Sequence, residues 1–244
     1  MAVALLVGVV CGAVGYTLGL GARKSPGRAS PPGIVPLRVM VAGDSISQGC
    51  ESMHTWRYRL WEWFQANDVP VTFVGPFHQT RLQDQDLSTG VPLPAARPGD
   101  ELDGPTAMDT GYALNVEPEF LRTGSAHLAI WGREIAQDLD IISRQIHDYR
   151  PDYLLVQLGL NGLVWAARKP DEALTLMQLF IEKARATSPE LRFAVANVPQ
   201  QSKVGDLDVR TGQYNEKLRE AIPKWSLPSS PVELVEFMEA YSCK

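Results

Sequence analysis

The stretch Arg38-Val39-Met40-Val41-Ala42-Gly43-Asp44-Ser45-Ile46-Ser47-Gln48-Gly49 decides the fold. Residues 37–42 (LRVMVA) are a short, mostly apolar run that lacks the alternation of a half-exposed strand. They predict a strand buried on both faces. Gly43 permits a tight turn, and Asp44 and Ser45 follow at the strand's carboxyl end. A serine there presents its hydroxyl at the open edge of a sheet, a place suited to a nucleophile. An Asp/Ser pair also caps ordinary turns, and the tripeptide alone does not choose between the two roles.

Outward from this stretch the chain alternates strands and helices. Residues 54–67 place Trp56, Leu60, Trp63 and Phe64 on one helical face, and 69–74 (VPVTFV) read as a strand. Pro70 puts that strand near a sheet edge, because proline donates nothing to a ladder. Residues 75–125 show no sustained periodicity, and so long an irregular stretch in a compact domain reads as a functional loop or lid. A brief strand over 128–131 leads to a helix over 132–149 with Ile135, Leu139, Ile142, Ile146 and Tyr149 as its apolar stripe. Strands over 153–158, 193–198 and 232–237 then alternate with helices over 170–187 and 212–222, the first with Leu174, Met177, Ile181 and Ala184 inward. Such alternation predicts an α/β domain with a parallel sheet covered on both faces. Ligands of such sheets gather beyond the carboxyl ends of the strands.

Two further strand ends carry chemistry. Gly159-Leu160-Asn161 follows the strand over 153–158, and an asparagine there can aim its amide at a developing oxyanion. Trp131-Gly132 follows the brief strand, where a glycine opening a helix would leave a free backbone N–H at the positive end of the dipole. Each also has an ordinary structural role, as a turn asparagine and a helix-start glycine.

Together, GDSISQG at 43–49, the glycine at 132 and GLN at 159–161 resemble blocks I, II and III of the SGNH (GDSL-type) hydrolases. The run RVMVAGDSISQGCESMHTWRYRLWEWF, followed by FVGPF and later ANVPQ, looks close to a subgroup found in secreted microbial proteins. The resemblance covers 37–244. It implies a three-layer α/β/α flavodoxin-like fold and hydrolysis of carboxylic esters, on acylated carbohydrates or lipids among others, without metal or organic cofactor. It implies Ser45 as nucleophile, supported in its turn by Gly43 and Asp44. The Ser45 N–H, the Gly132 N–H and the Asn161 amide would form the oxyanion hole. Block III usually reads GxND, and Gly162 here stands in place of that Asp.

The fourth block of these hydrolases is a DxxH whose His takes the serine proton while its Asp orients the ring. The sequence holds four histidines, His54, His78, His127 and His147, and none is preceded three residues earlier by Asp. It stops at Lys244, where the resemblance implies a DxxH loop and a closing helix. Two expectations follow: a shortened chain close to inert whose last strand exposes apolar surface, or a family member that binds a ligand without turning it over. A third idea, His127 as replacement base, is set against its role as a polar residue at a strand entrance. A flavodoxin-like nucleotide binder ranks last, because GDSISQG offers only a partial phosphate loop.

Residues 1–22 hold no charged side chain and match the ~20 residues that cross a bilayer as a helix. Gly8 and Gly12, then Gly15 and Gly19, repeat a spacing that lets membrane helices approach closely. The segment reads as a single-pass anchor or, alternatively, a cleaved signal of a secreted protein, and 23–36 as a Pro/Gly/Ser linker. The chain of 244 residues carries a formal charge of −5. Its first 28 residues hold three bases and no acid, so the remaining 20 bases face 28 acids, a net −8. Such a surface repels phosphate backbones, which excludes a nucleic-acid partner. Three cysteines (Cys11, Cys50 and Cys243) build no disulfide framework and no zinc-ligand spacing, although Cys50 and Cys243 are free to pair or to remain thiols.

Overall fold

The computed structural model describes residues 35–82, 110–199 and 206–237. The 1–22 segment, most of the 23–36 linker, the middle of the 75–125 stretch, Cys11 and Cys243 lie outside these residues. Among the described residues no helix is long and apolar enough to cross a membrane.

Among the described residues six strands form one parallel sheet: β1 (Leu37–Gly43), β2 (Val71–Phe73), β3 (Leu128–Ala129), β4 (Tyr153–Gln157), β5 (Arg192–Ala196) and β6 (Val232–Val235). The order is β2-β1-β4-β5-β6. The short β3 pairs with the far end of β1, Ala42 opposite Leu128 and Gly43 opposite Ala129. The strand after Pro70 is thus at the edge, as its proline requires. Chain progression runs one way from β1 to β2 and then the other way from β1 through β4 to β6. The carboxyl end of β1 is therefore the topological switch point, where open α/β sheets leave a crevice for ligands.

Alternate side chains of the central strands point to opposite faces, and both faces are covered. Met40, Ala42, Leu154 and Val156 pack on one side against α4 (Ile135–Asp138), α5 (Ile142–Tyr149), α7 (Pro170–Thr187) and α8 (Leu207–Trp225). Val39, Val41, Tyr153 and Leu155 pack on the other against α2 (Trp56–Ala66) and α3 (Pro118–Thr123). This is the expected α/β/α arrangement.

Several expectations need correction. The helix over 132–149 is two helices, α4 and α5, and Gly132 precedes both. It sits in a turn with φ +75°, a left-handed conformation that glycine adopts without a Cβ penalty. The apolar stripe survives the break, since Ile135, Ile142 and Ile146 are all buried. On α2 the buried face holds Tyr58 and Trp61 beside Leu60 and Phe64, whereas Trp63 is only half-buried. The helix expected at 212–222 begins five residues earlier, at Leu207. The last strand does not expose its apolar side chains: Val232, Val235 and Phe237 are buried. Cys50 is an exposed free thiol.

Candidate active site

β1 ends at Gly43, and the chain turns at once into a one-turn helix, α1 (Ser45–Gln48). Asp44 is its N-cap: the carboxylate Oδ1 accepts from the Ile46 N–H at 3.0 Å. The Ser45 N–H, an orphan of the first helical position, meets no acceptor among the described residues. The Ser45 side chain is half-buried and its hydroxyl forms no hydrogen bond with a described residue. A Cβ at Gly43 would collide with the Ser47 side chain, so glycine lets α1 fold back on β1.

Long-range bonds hold α1 in place. Ser47 Oγ donates to Gln157 Oε1 at the end of β4 (2.9 Å) and accepts from Trp56 Nε1 (3.3 Å). The fully buried Arg57 reaches back from α2, its Nε donating to the Ser47 carbonyl at 2.7 Å. Its other nitrogens donate to the carbonyls of Gln48 and Ser125 and to Tyr112 Oη. Burial depresses its pKa, opposed by the adjacent Tyr112. Gln48 Oε1 in turn accepts from the Trp131 N–H at 2.7 Å, which joins α1 to the turn after β3.

That turn carries Gly132. Ile130 N–H donates to the Gly43 carbonyl, so the turn lies directly beside the end of β1. The Gly132 N–H has no acceptor among the described residues, and a Cβ there would meet open space. Asn161, buried in α6 (Leu160–Val164), points its Nδ2 into the same place. One amide hydrogen goes to the Arg133 carbonyl (3.0 Å); the other faces Asp44 Oδ2 at a long 3.5 Å. The fold thus gathers the expected site residues Gly43, Asp44, Ser45, Gly132 and Asn161 at the switch point. Two backbone N–H groups without partners among the described residues, and the second amide hydrogen of Asn161, can serve an oxyanion there.

Ionic contacts brace the Gly132 turn. Arg133 Nε lies 3.0 Å from Asp138 Oδ1, at ion-pair distance but without hydrogen-bond alignment. Arg168 Nε donates to Glu134 Oε2 at 2.8 Å, and both side chains pass beside Gly162. Burial pushes the carboxyl of Asp44 up to about 7 despite the Ile46 N–H, and that of Asp138 to about 7 against the pull of Arg133.

None of the four histidines bonds to Ser45. His127 is fully buried and both ring nitrogens are committed: Nδ1 accepts from Ala129 N–H, so Nε2 carries the proton and faces the Gln79 carbonyl. Burial and then the Arg57 charge hold its pKa well below the usual value, and the idea of His127 as base is not supported. His78 Nδ1 lies 3.0 Å from Ser125 Oγ. His54 lies against the Tyr58 ring. His147 is exposed beside Asp148 on α5, which leads into the amino end of β4, away from the crevice. Among the described residues no group of His, Cys, Asp or Glu is placed to hold a metal ion.

Nothing local marks Gln48 or Gln157, whose partners are distant in the chain, and the pairing of Asp138 with Arg133 five residues earlier follows no helical spacing. Arg57 did leave a signal, a charged residue in register with the apolar positions 60, 61 and 64 of α2.

A serine therefore lies at the switch point of a flavodoxin-like α/β/α sheet, with backbone and amide donors beside it. Solved structures match it. The chain is similar to a carbohydrate esterase family 3 from Talaromyces cellulolyticus at 20% identity, over 81% of this chain and 78% of that one, with a TM-score of 0.55. It is similar to a family 3 carbohydrate esterase of Clostridium thermocellum (17%, 84% and 80%, TM-score 0.58). It is also similar to AlinE4, an SGNH-hydrolase family esterase (12%, 86% and 81%, TM-score 0.54). The chain has the SGNH hydrolase fold. No protein-family model matches it, and no curated protein does.

Proposed function

We propose that the chain is an ester hydrolase that works through Ser45. The observation that carries this reading is the convergence of the unengaged Ser45 hydroxyl with the Ser45 N–H, the Gly132 N–H and the Asn161 amide. Ser45 Oγ attacks the ester carbonyl, the three donors take the negative oxygen, the C–O bond to the alcohol breaks with the Ser45 proton ending on the departing alkoxide, and water then cleaves the acyl-serine to the acid and a restored serine hydroxyl. The esterase names of the structural neighbours support the same chemistry. The substrate is a small ester, with acylated carbohydrates or lipids as candidate classes and no cofactor in the scheme.

The proton of Ser45 needs an acceptor, and no histidine of the chain bonds to it, so turnover is expected to be slow. Hydrolysis of p-nitrophenyl acetate by the full chain tests the reading. Loss of the rate on Ser45→Ala with an unchanged far-UV CD spectrum supports it; equal rates overturn the assignment. We also propose that 1–22 anchors the SGNH domain of 37–244 to a membrane through the 23–36 linker, with secretion after cleavage as the alternative. Retention of the intact chain in membranes after alkaline extraction supports an anchor, and release of a shortened chain contradicts it.

A further inference from the structure

We propose that Arg81 and Trp131 form a subsite for a carboxylate borne by the ester substrate; this rests on the reading of Ser45, Gly132 and Asn161 as an esterase site. Arg81 Cζ lies 4.3 Å from the centroid of the Trp131 ring. A guanidinium stacked on an indole keeps its N–H donors along its edge, where they remain available. Both residues are fixed to the segment just beyond the nucleophile. Arg81 N–H donates to the Gly49 carbonyl at 2.9 Å, and Glu51 N–H donates to the Arg81 carbonyl at 2.8 Å. Trp131 N–H is held by Gln48, and the next residue is Gly132. The pair therefore forms a wall of the crevice one residue from an oxyanion donor.

The neighbouring arginines show what is unusual about Arg81. Arg133 and Arg168 each face a carboxylate, of Asp138 and Glu134. Among the described residues no carboxylate lies within ion-pair distance of Arg81, and its only contact of that kind is with the Trp131 ring. Trp131 keeps 38% of its surface exposed, a large share for an indole held by its backbone. A planar cation whose edge donors no described residue engages, beside a flat apolar face, fits a carboxylate on a ring: the fork matches the two oxygens and the indole covers the ring. The chain's excess of acids repels anions at a distance, so this recognition is short-range and independent of steering.

Two esters with the same acyl group test it: phenyl acetate and 3-acetoxybenzoate, which adds one carboxylate to the alcohol. The full chain should prefer 3-acetoxybenzoate in kcat/KM, and Arg81→Met should reduce that preference about tenfold. Arg81→Lys keeps the charge without the planar fork and should restore only part of it. An unchanged preference in Arg81→Met overturns the proposal. The product analogue 3-hydroxybenzoate gives a second reading through quenching of tryptophan fluorescence. Saturable quenching in the full chain that Arg81→Met weakens supports the subsite even where neither ester is cleaved, an outcome that would sink the esterase reading alone. Cleavage of both esters without discrimination, or quenching that Arg81→Met leaves unchanged, removes the subsite and leaves the esterase reading standing.

Discussion

The two turns that meet at the switch point are held by different forces. The turn carrying Ser45 is built into the core. Arg57 and Gln157 bind it through buried hydrogen bonds, and Gly43 lets it press against β1. The turn carrying Gly132 is tied to β1 and α1 by the Ile130 and Trp131 N–H groups and flanked by ionic contacts, Arg133 with Asp138 and Arg168 with Glu134, in which all but Asp138 are partly exposed. Water and salt reach the second set and hardly the first. Ser45 and its N–H are therefore placed by buried hydrogen bonds, whereas the Gly132 N–H lies in a turn flanked by partly exposed ion pairs. The two should respond to different perturbations.

The largest effect is expected at the first turn. Arg57→Met leaves the carbonyls of Ser47, Gln48 and Ser125 and the Tyr112 hydroxyl without their buried donor. The loss should be about 4 kcal/mol of stability. Urea unfolding measures it, and a change under about 1 kcal/mol would show that this clasp does not hold α1.

Next comes the hole itself. Asn161→Ala should lower kcat by about 10²–10³, roughly 3–4 kcal/mol, with little change in KM. A change confined to KM would assign Asn161 to substrate binding or to the turn instead.

Asp44 faces the Asn161 amide from the Ser45 turn, and its burial gives a sign to pH dependence. In the unfolded chain it ionises near the ordinary 3.8; in the fold it keeps its proton up to about 7. Between these values the native state binds more protons, so this group makes stability fall as pH rises through the window. Asp44→Asn retains a capping oxygen and cannot ionise. Its melting temperature should exceed the parent's at pH 8 by on the order of 5 °C and match it near pH 4. Equal melting at both values would mean that Asp44 is not desolvated.

The smallest effect belongs to the second turn. Arg168→Gln removes a partly exposed pair, which is worth at most about 1 kcal/mol. A severalfold fall in kcat that about 1 M salt reproduces in the parent would mark an electrostatic brace, whereas equal salt sensitivity of the Ser45 turn would erase the contrast.

What the sequence made legible were the features written locally. The buried run 37–42, the edge proline before β2 and the strand-end motifs at Ser45 and Asn161 all depend on neighbours a few residues away. The break between α4 and α5 was hidden because the apolar stripe from Ile135 to Ile146 runs through it without losing phase. The left-handed conformation of Gly132 has no signature beyond the residue itself. Ser47 with Gln157 and Arg57 with Ser125 join residues 110 and 68 positions apart, and no periodicity encodes such pairs.

We propose Ser45 as a nucleophile beside a formed oxyanion hole. Treating the full folded chain with a fluorophosphonate and mapping the adduct by mass spectrometry tests it most directly. Covalent labelling at Ser45 is expected, slowed by Asn161→Ala and absent in Ser45→Ala. A folded chain whose Ser45 stays unmodified after prolonged exposure would contradict it and favour a module that binds its ligand without turning it over.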